Sequence, residues 1–365
     1  MSTIEIYDSV DAIAREWDEL AARARAAPYL RPGWMGAWWN CFGQGRLVVV
    51  ALRGSEGLEA VLPLEARGRD VCSLSNEETP RFGPVVSGQP ANQELGRELF
   101  ARAGRGVRLG WLSAEDAATL AVAAVRSDYR TSTALSAATP FVALSGDWES
   151  YLGEMKPDRR RQLRRRRRRL EEMGEVTLDV RDGTEGLEAA LDEFIDVEGS
   201  GWKGQAGTAI RSQPRLGAFY RQVGRWAADR GELRLAFLRV DGRPIAAHLY
   251  LQSAEILYRF KSGYDEDWSK QAPGLLLTGA MIERAFDEGL KLYDFLGGGE
   301  SHKLDWMADA RPLVRLHAYE RSSLAGRAWH SYETAARPLA KRAVKRFRTV
   351  RPGSPESSRR TASAP

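Results

Sequence analysis

The chain has 365 residues, 43% of them hydrophobic, and a formal net charge of +5. Two cysteines, Cys41 and Cys72, exclude a disulfide framework and a cysteine-rich metal site. The opening residues carry acids and no apolar core, and no apolar stretch reaches the ~20 residues that span a bilayer, so we predict a cytoplasmic protein with two ordinary domains.

The net charge conceals two strongly basic segments. Residues 156–169 hold ten Lys and Arg against one acid, and residues 321–365 hold eleven against two. Each segment therefore contributes +9, which leaves −13 for the rest of the chain. An acidic body with two basic segments indicates a polyanionic partner or an anionic membrane surface.

The first half of the chain mixes predicted helices and strands. Residues 8–30 have the apolar spacing of a helix, and residues 46–67 have the pattern of a hairpin. Two further helices are predicted over 91–105 and 114–127, on either side of a strand over 107–112.

The second half gives a more regular order. The pattern predicts a basic helix over 156–174, a strand over 175–182, helices over 185–198 and 214–230, strands over 232–240, 243–252 and 255–263, a buried helix over 273–288, and strands over 290–296 and 313–320. Short turns join the three strands between 232 and 263, which we therefore predict to be sequential antiparallel neighbours.

A proline and a glycine, Pro273 and Gly274, open the buried helix. In a structural interpretation, proline simply suits the first turn, where its missing N–H needs no partner. In a functional interpretation, a loop of small residues presents free backbone N–H groups and the positive end of the helix dipole. That combination suits a phosphate.

The order of elements in the second half resembles the GNAT acyltransferase fold. The resemblance implies that a fifth strand splays away from the fourth and that an acyl-CoA lies in the wedge between them. It also implies that the loop and helix start bind the pyrophosphate of the acyl-CoA through Gln271, Ala272, Pro273, Gly274 and Leu275. The loop keeps the family pattern Q/R-x-x-G-x-G/A only in part, because one glycine stands where two small residues are expected.

Particular stretches narrow the resemblance. The sequences "PYLRPGWMGAWWNCFG" (28–43), "SGWKGQAG" (200–207) and "YDFLGGGESHKLDW" (293–306), together with the basic helix, look like the CelD/BcsL-type acetyltransferases. Those bacterial proteins are linked to cellulose and exopolysaccharide production. More distantly, the chain is similar to the FemAB/FemX aminoacyl-tRNA transferases.

These resemblances imply an α/β (α+β) fold of two tandem GNAT-like units, with mixed, mostly antiparallel sheets flanked by helices. We expect an N-terminal unit over residues 1–150 and an acyltransferase unit over 151–322. A basic helical tail is expected over 323–350, and residues 351–365 have the composition of a disordered segment.

The leading functional hypothesis is transfer of an acyl group from acyl-CoA, in the simplest case acetyl-CoA, to an anionic sugar or lipid-linked precursor of the envelope or of an exopolysaccharide. A second hypothesis is FemX-like transfer from aminoacyl-tRNA. A third is a non-catalytic GNAT-like scaffold in polysaccharide biosynthesis. In the first two, the acyl-CoA or the aminoacyl-tRNA is a co-substrate, and no tightly bound cofactor is expected.

His248 is the first candidate for catalysis. Acyl transfer needs a base for the acceptor proton and a hydrogen-bond donor for the oxyanion; in the GNAT fold a backbone N–H of the fourth strand is the usual oxyanion donor. Alternation places His248 on one strand face with Ala246 and Tyr250. An imidazole there can act as a base near neutral pH, and a structural histidine is the alternative.

The next strand supplies Tyr258, a further catalytic candidate. Alternation predicts that Tyr258 and Phe260 share one face and that Arg259 and Lys261 share the other, so either pair could line the wedge. Asp294 is the third candidate. It sits within an aromatic strand, where an unpaired carboxylate would be costly, so it is either partnered or catalytic.

Five residues are candidates for substrate binding, all in glycine-rich loops. Trp202 can stack on a sugar or a base, with Lys203 beside it, or it can simply fill the loop. Glu300, His302 and Lys303 follow three glycines. The resemblance implies that Lys303 holds a phosphate or sugar of the acceptor, with solvated surface as the alternative, whereas His302 replaces a tyrosine common at that place.

The four histidines show no ligand spacing with acids or cysteines, so we predict no metal site; they are His248, His302, His317 and His330. The basic segments 156–169 and 324–348 are expected to contact tRNA or an anionic membrane surface, with a solvated surface as the alternative. A membrane contact would place the cytoplasmic protein peripherally at the inner membrane face.

Overall fold

A computed structural model describes residues 2–201, 207, 209–298 and 301–331. Thirteen strands lie within these residues: β1 Thr3–Tyr7, β2 Arg46–Gly54, β3 Gly57–Arg67, β4 Asp70–Ser73, β5 Val85–Val86, β6 Gly106–Ser113, β7 Tyr129–Ala143, β8 Val176–Arg181, β9 Leu233–Val240, β10 Arg243–Ser253, β11 Ile256–Tyr264, β12 Leu292–Asp294 and β13 Asp309–Glu320.

The helices of the same residues are α1 Ala14–Arg23, α2 Pro32–Phe42, α3 Gln89–Arg102, α4 Ala114–Arg126, α5 Trp148–Glu154, α6 Pro157–Glu171, α7 Leu187–Gly199, α8 Pro214–Asp229, α9 Pro273–Asp287, α10 Ser301–Leu304 and α11 Leu324–Ser331. Short 3-10 turns precede α1, α2, α8 and α9.

All the strands belong to one large, mostly antiparallel sheet. Its order is β1-β2-β3-β4-β6-β13-β7-β12-β11-β10-β9-β8, and β5 pairs with β3 outside this path. The helices flank the sheet, which confirms the predicted α/β fold class. Residues 232–263 form three sequential antiparallel strands, β9, β10 and β11, as predicted.

The last strand of the sheet crosses between the two halves of the chain. β13 lies between β6 and β7, so residues 309–320 pair with strands of the first half. β7 pairs with β13 along most of its length, and its end pairs with β12, where Phe141 faces Asp294. The sheet therefore runs without a break through the proposed boundary near residue 150, and the division into units stays a prediction.

Several elements of the first half differ from the sequence prediction, among them β1 and α2, which it did not contain. The single helix expected over 8–30 is wrong, because Arg25 adopts a left-handed conformation and Pro28 and Pro32 each begin a new turn, so α1 and α2 are separate. β7 was not predicted, since its Ser, Thr and Ala residues are half exposed and lack an apolar alternation.

Two hydrophobic cores cover the two faces of the second half of the sheet. Phe237, Leu249 and Leu251 face α7, α8 and the N-terminal helices, where Trp34 packs edge-on against Phe219 with ring centroids 5.1 Å apart. On the opposite face, Leu238, Tyr250 and Leu257 pack with α5, α6 and α9. The alternation predicted for β10 is therefore present, because neighbouring residues enter different cores.

The predicted tail is only partly within the described residues. Leu324–Ser331 is a helix, whereas residues 332–350 of the basic tail and the segment 351–365 lie outside the described part. Within the described part, none of the helices combines the length and the apolar character that a bilayer crossing requires.

Candidate active site

The candidate site is a gap between two strands of the sheet. β11 and β12 run parallel and pair over only three residues, from Ile256 with Leu292 to Tyr258 with Asp294. β12 ends there, whereas β11 continues to Tyr264. The divergence leaves a cavity of ≈ 520 Å³ that residues 259–264 line as one unbroken stretch. This geometry is the splayed strand pair that the sequence resemblance implied.

A β-bulge interrupts β11 inside this gap. Lys261 pairs with Leu249 and Arg259 with Tyr250, so Phe260 has no opposite residue on β10. A bulge bends the strand and leaves one residue outside the ladder of hydrogen bonds. Phe260, the residue left without a partner on β10, lines the cavity.

The bulge also corrects one prediction about side-chain directions. Tyr258 and Phe260 share a face as expected, since both pack against Tyr29. Arg259 and Lys261 do not share the other face. Arg259 Nη1 donates to Thr278 of α9, whereas Lys261 Nζ lies 2.8 Å from Glu78 on the opposite side of the sheet. The extra residue at the bulge shifts the alternation by one position.

Helix α9 begins at the wall of the cavity. Ala272 adopts a left-handed conformation (φ 53°), and Pro273, which follows it, has no N–H. The amides of Leu275 and Leu276 donate back to the carbonyl of Ala272 over 3.0 and 3.3 Å. Gly274 is thus the first residue of the helix whose N–H can meet an anion, aided by the positive end of the helix dipole.

The structure brings three of the five predicted donor-binding residues to the cavity. Ala272, Gly274 and Leu275 line it, and a Cβ at Gly274 would meet only Tyr264, at 3.7 Å. Gln271 and Pro273 are not among its described lining residues. Gln271 turns away, toward the Met173 sulfur 3.4 Å from its Nε2.

Arg259 carries a buried positive charge at the cavity wall. Its side chain is 7% exposed, its guanidinium lies 4.8 Å from the Phe295 ring, and its Nη1 donates to Thr278 Oγ1 over 3.1 Å. Among the described residues, no carboxylate lies within ion-pair distance of it. A buried cation without a counter-ion is costly, so the cavity suits an anionic group.

His248 lines the same cavity and belongs to a chain of buried hydroxyl groups. Its Nδ1 lies 2.8 Å from the Tyr250 hydroxyl, which lies 3.0 Å from the Tyr293 hydroxyl. Burial raises the pKa of Tyr250 well above its ordinary value and raises that of Tyr293. Both phenols therefore stay protonated, and the Tyr250 oxygen can accept the Nδ1–H of the imidazole, the tautomer that leaves Nε2 free of a proton.

Asp294 and Tyr258 lie outside the lining of this cavity. Asp294 Oδ1 accepts the N–H of Leu296 at 2.9 Å, and Arg311 Nη1 lies 3.7 Å from its Oδ2. Burial raises the pKa of Asp294, and the hydrogen bond from Leu296 partly opposes that shift. Burial also raises the pKa of Tyr258, which packs edge-on against Tyr29. The sequence left Asp294 either partnered or catalytic, and the structure gives its carboxylate two partners, the Leu296 amide and Arg311.

Lys303 lies where the cavity meets a second one. Its buried Nζ donates to the carbonyl oxygens of Leu296 and Gly298 at 3.0 and 3.1 Å, which holds the loop after β12. His302 lines the first cavity and is exposed. Three other predicted substrate-binding residues, Trp202, Lys203 and Glu300, lie outside the described residues.

The second cavity, of ≈ 420 Å³, opens on the other face of the sheet. Glu78, Trp111 and Tyr220 line it, and it shares Lys261 and Lys303 with the first cavity. The Tyr220 hydroxyl donates to Glu78 over 2.6 Å. Two reactants can thus approach one gap from opposite faces. Sequence reasoning missed these residues, because they come from distant elements with no shared motif.

The described residues contain no group of three or more His, Cys, Asp or Glu side chains that could hold a metal ion. What the site offers chemically is a helix start, a buried guanidinium, an imidazole and a buried ammonium group. Together they can bind an anionic donor and stabilise negative charge that develops during a reaction.

Sequence and structure comparisons place these features in a known context. The family profile of the acetyltransferase (GNAT) domain matches residues 157–304, which contain β11, β12, α9 and Lys303. No curated protein sequence matches the chain.

Solved structures with low sequence identity share the fold over most of the chain. One is FemX, with a TM-score of 0.58 and 10% identity over 83% of this chain and 95% of the other. Another is the C-terminal domain of a protein described as a lysylphosphatidylglycerol synthetase, from Agrobacterium fabrum, with a TM-score of 0.56 and 13% identity over 88% and 95%.

A third solved structure, L-PGS from Bacillus licheniformis, has a TM-score of 0.52 and 13% identity over 84% of this chain and 93% of the other. At such identities these likenesses establish the fold alone. With the profile match, they give the chain a GNAT-type fold whose C-terminal part carries the acetyltransferase domain.

Proposed function

We propose that the protein is a GNAT-type acyltransferase whose donor, an acyl-CoA, binds in the gap between β11 and β12. The observation that carries the proposal is the open wedge with its bulge at Phe260 and the start of α9 at its wall. The match of the acetyltransferase (GNAT) domain to residues 157–304 supports the same reaction class.

The donor would lie with its phosphates near Gly274 and its acyl group near the bulge. Gly274 N–H and the helix dipole favour the pyrophosphate, and the uncompensated charge of Arg259 adds a second attraction for an anion. The unpaired edge of β11 offers backbone groups to an extended pantetheine chain. A backbone N–H at the bulge would then stabilise the oxyanion of the tetrahedral intermediate.

His248 is the proposed base. The acceptor amine or hydroxyl attacks the carbonyl carbon of the thioester and transfers its proton to the imidazole. The bond between that carbon and the sulfur then breaks, and the imidazolium returns the proton to the leaving thiolate. Tyr250 holds Nδ1 of His248 in place. In this scheme Asp294 positions the loop after β12 through the Leu296 amide and does not touch the reactants.

The acceptor would enter from the cavity lined by Glu78, Trp111 and Tyr220. An aromatic pair and a carboxylate suit the rings and hydroxyl groups of a sugar. Lys303, held at the junction of the two cavities, adds positive charge for an anionic acceptor. The resemblance to CelD/BcsL-type proteins favours an envelope or exopolysaccharide precursor as this acceptor.

A second candidate donor is an aminoacyl-tRNA, the donor that the resemblance to the FemAB/FemX transferases implies. One observation favours it: the first turn of α9 loses one amide to Pro273, and the amides of Leu275 and Leu276 bond to Ala272. That leaves fewer N–H groups for a pyrophosphate than the full family loop offers.

A thermal-shift panel with acetyl-CoA, longer acyl-CoAs and an aminoacyl-tRNA tests the proposal. We expect acetyl-CoA or a longer acyl-CoA to raise the melting temperature in a dose-dependent way, because a ligand that binds only the folded state stabilises it. Stabilisation by aminoacyl-tRNA alone would replace the acyl-CoA by the second donor. Stabilisation by none of them would favour the non-catalytic scaffold.

A further inference from the structure

Helix α6 presents a continuous surface of arginine to solvent. Its inner face is held by Leu170, which is buried, and by Leu163, which packs against the same core. The outward face carries Arg161, Arg164, Arg165, Arg167, Arg168 and Arg169, all exposed. The acyl-transfer scheme uses none of these side chains, so the surface needs its own explanation.

Internal ion pairs do not neutralise this surface. Arg161, Arg167 and Arg168 have an acid within one turn of the helix. Among the described residues, five other arginines of α6 have no carboxylate within ion-pair distance; they are Arg160, Arg164, Arg165, Arg166 and Arg169. Like charges one turn apart repel each other, so an external anion would stabilise the helix.

Exposed aliphatic side chains flank the arginines on both sides of α6. On one side, Leu304 (45% exposed) and Met307 (39%) share a groove with Arg161 and Arg165. On the other side, Leu178 (38% exposed) shares a groove with Arg164, together with Arg160 and Arg167. Met173, which is 49% exposed, lies just past the end of the helix.

We propose that α6 and these flanking Leu and Met side chains form a docking surface for an anionic lipid bilayer. Arginine heads suit lipid phosphates, and exposed aliphatic side chains next to them suit the boundary of the acyl chains. Single-stranded nucleic acid would instead favour aromatic side chains that stack on bases. The exposed apolar side chains that flank the surface are aliphatic, and the Trp148 ring in the groove with Leu178 is partly buried, which favours the bilayer over RNA.

A single side chain of α6, Arg159, connects the arginine surface to the wall of the candidate active site. The Arg159 guanidinium of α6 stacks 5.7 Å from the Trp306 ring, and Trp306 lines the cavity between β11 and β12. A bilayer docked on α6 would therefore hold the cavity close to lipid headgroups. This consequence rests on the proposed function, whereas the docking itself does not.

The test is sedimentation of the full chain with vesicles of phosphatidylcholine, with or without phosphatidylglycerol. We expect binding only to the anionic vesicles, and binding that weakens as salt rises. Replacing Arg160, Arg164, Arg165 and Arg169 by Gln should lower partition about a thousandfold. The matched control replaces Arg15, Arg46, Arg126 and Arg130, which are exposed in the N-terminal half, and should stay within about twofold of the wild type.

A second variant tests the aliphatic part of the surface. The double change Met173→Ser and Leu178→Ser should lower partition about fivefold, because it removes apolar area that would leave water. Its control, Val122→Ser with Val125→Ser, changes two valines of α4 that are about half exposed and should have no effect. If the variant with four arginine substitutions fails to fold, the two serine variants still test the proposal, because their positions are exposed.

Several outcomes would overturn the proposal. One is wild-type binding that ignores phosphatidylglycerol, and another is an arginine variant that binds vesicles as tightly as its control. A third is a serine variant that binds vesicles like the wild type while the arginine variant loses affinity for tRNA. That last pattern would make α6 a nucleic-acid surface.

Discussion

The two halves of the sheet each contain one short parallel strand pair, and the two pairs differ in what fills the space beyond the shorter strand. β4 and β6 pair over three residues, from Asp70 with Gly106 to Cys72 with Arg108, as β11 and β12 do. After β4, the chain itself follows the edge of β6. Gly110 N–H donates to Ser73 Oγ at 3.0 Å, and Phe82 N–H donates to the Trp111 carbonyl at 2.8 Å.

The two strand pairs have the same topology, but side chains fill the space beyond one pair and leave the space beyond the other open. In the N-terminal gap, Leu74 and Phe82 are fully buried. In the C-terminal gap, a bulge and the small residues Ala272 and Gly274 leave space, and the buried side chains that face it include Arg259. An open space beside a buried charge without a carboxylate partner among the described residues suits an anionic ligand.

The largest expected effect comes from truncating one apolar side chain in each gap, Phe82 beyond β4 and Leu275 at the wall of the cavity between β11 and β12. Phe82→Ala should lower the free energy of unfolding by about 3–5 kcal/mol, because it empties a packed site. Leu275→Ala, at the half-buried wall of the open gap, should cost about 1 kcal/mol. Denaturant unfolding measures both changes. Equal losses would mean that the two gaps are filled alike.

Lys303→Met should give the next largest effect. The substitution keeps the length of the side chain but removes the ammonium group that holds the Leu296 and Gly298 carbonyls, so acyl transfer should fall about a hundredfold, or about 2.7 kcal/mol. Donor affinity should change little. The control is Lys270→Met, at an exposed position in the 3-10 turn just before α9. Wild-type turnover in the Lys303 variant would remove Lys303 from the site.

Arg259→Met should separate ligand binding from stability. Donor affinity is expected to fall by about 2 kcal/mol, which is typical of hydrogen bonds to charged groups. Thermal stability should hold or rise, since an uncompensated buried charge disappears. Arg259→Lys should keep part of the affinity. A loss of stability with unchanged affinity would make Arg259 a purely structural residue.

Asp294 should give the smallest effect, visible in the pH dependence of stability. Burial raises its pKa in the folded state, so its protonated form is favoured there. Its stabilising contribution is therefore present at low pH and is lost as pH rises above about 4 through the raised pKa. The stability of the wild type relative to Asp294→Asn should fall over that range. A rise over the same range would contradict the stated pKa direction.

The sequence supported the sheet strands of the second half well, because hairpin turns and apolar alternation are local signals. It could not show that β13 joins the first half, since its pairing with β6 links residues 200 or more positions apart. It also missed the bulge at Phe260. No local pattern marks an extra residue in a strand, so Lys261 was assigned to the wrong face.

The candidate site was predictable only in outline. The loop before α9 and Lys303 follow from the family resemblance. By contrast, Glu78 and Tyr220 reach the gap from a loop and a helix far apart in the chain. The role of Asp294 depended on which face of β12 its side chain takes, and a strand of three residues gives too short an alternation to decide it.

The central claim is that the open gap binds an acyl-CoA at the start of α9. Calorimetric titration of acetyl-CoA into three proteins tests it most directly: the wild type, Gly274→Ala and Gly274→Glu. A Cβ at Gly274 has room, since its nearest neighbour is 3.7 Å away, so alanine should bind within about threefold of the wild type. Glutamate brings bulk and negative charge to the pyrophosphate position and should abolish binding. Equal affinity in the glutamate variant, or no binding to the wild type, would contradict the claim.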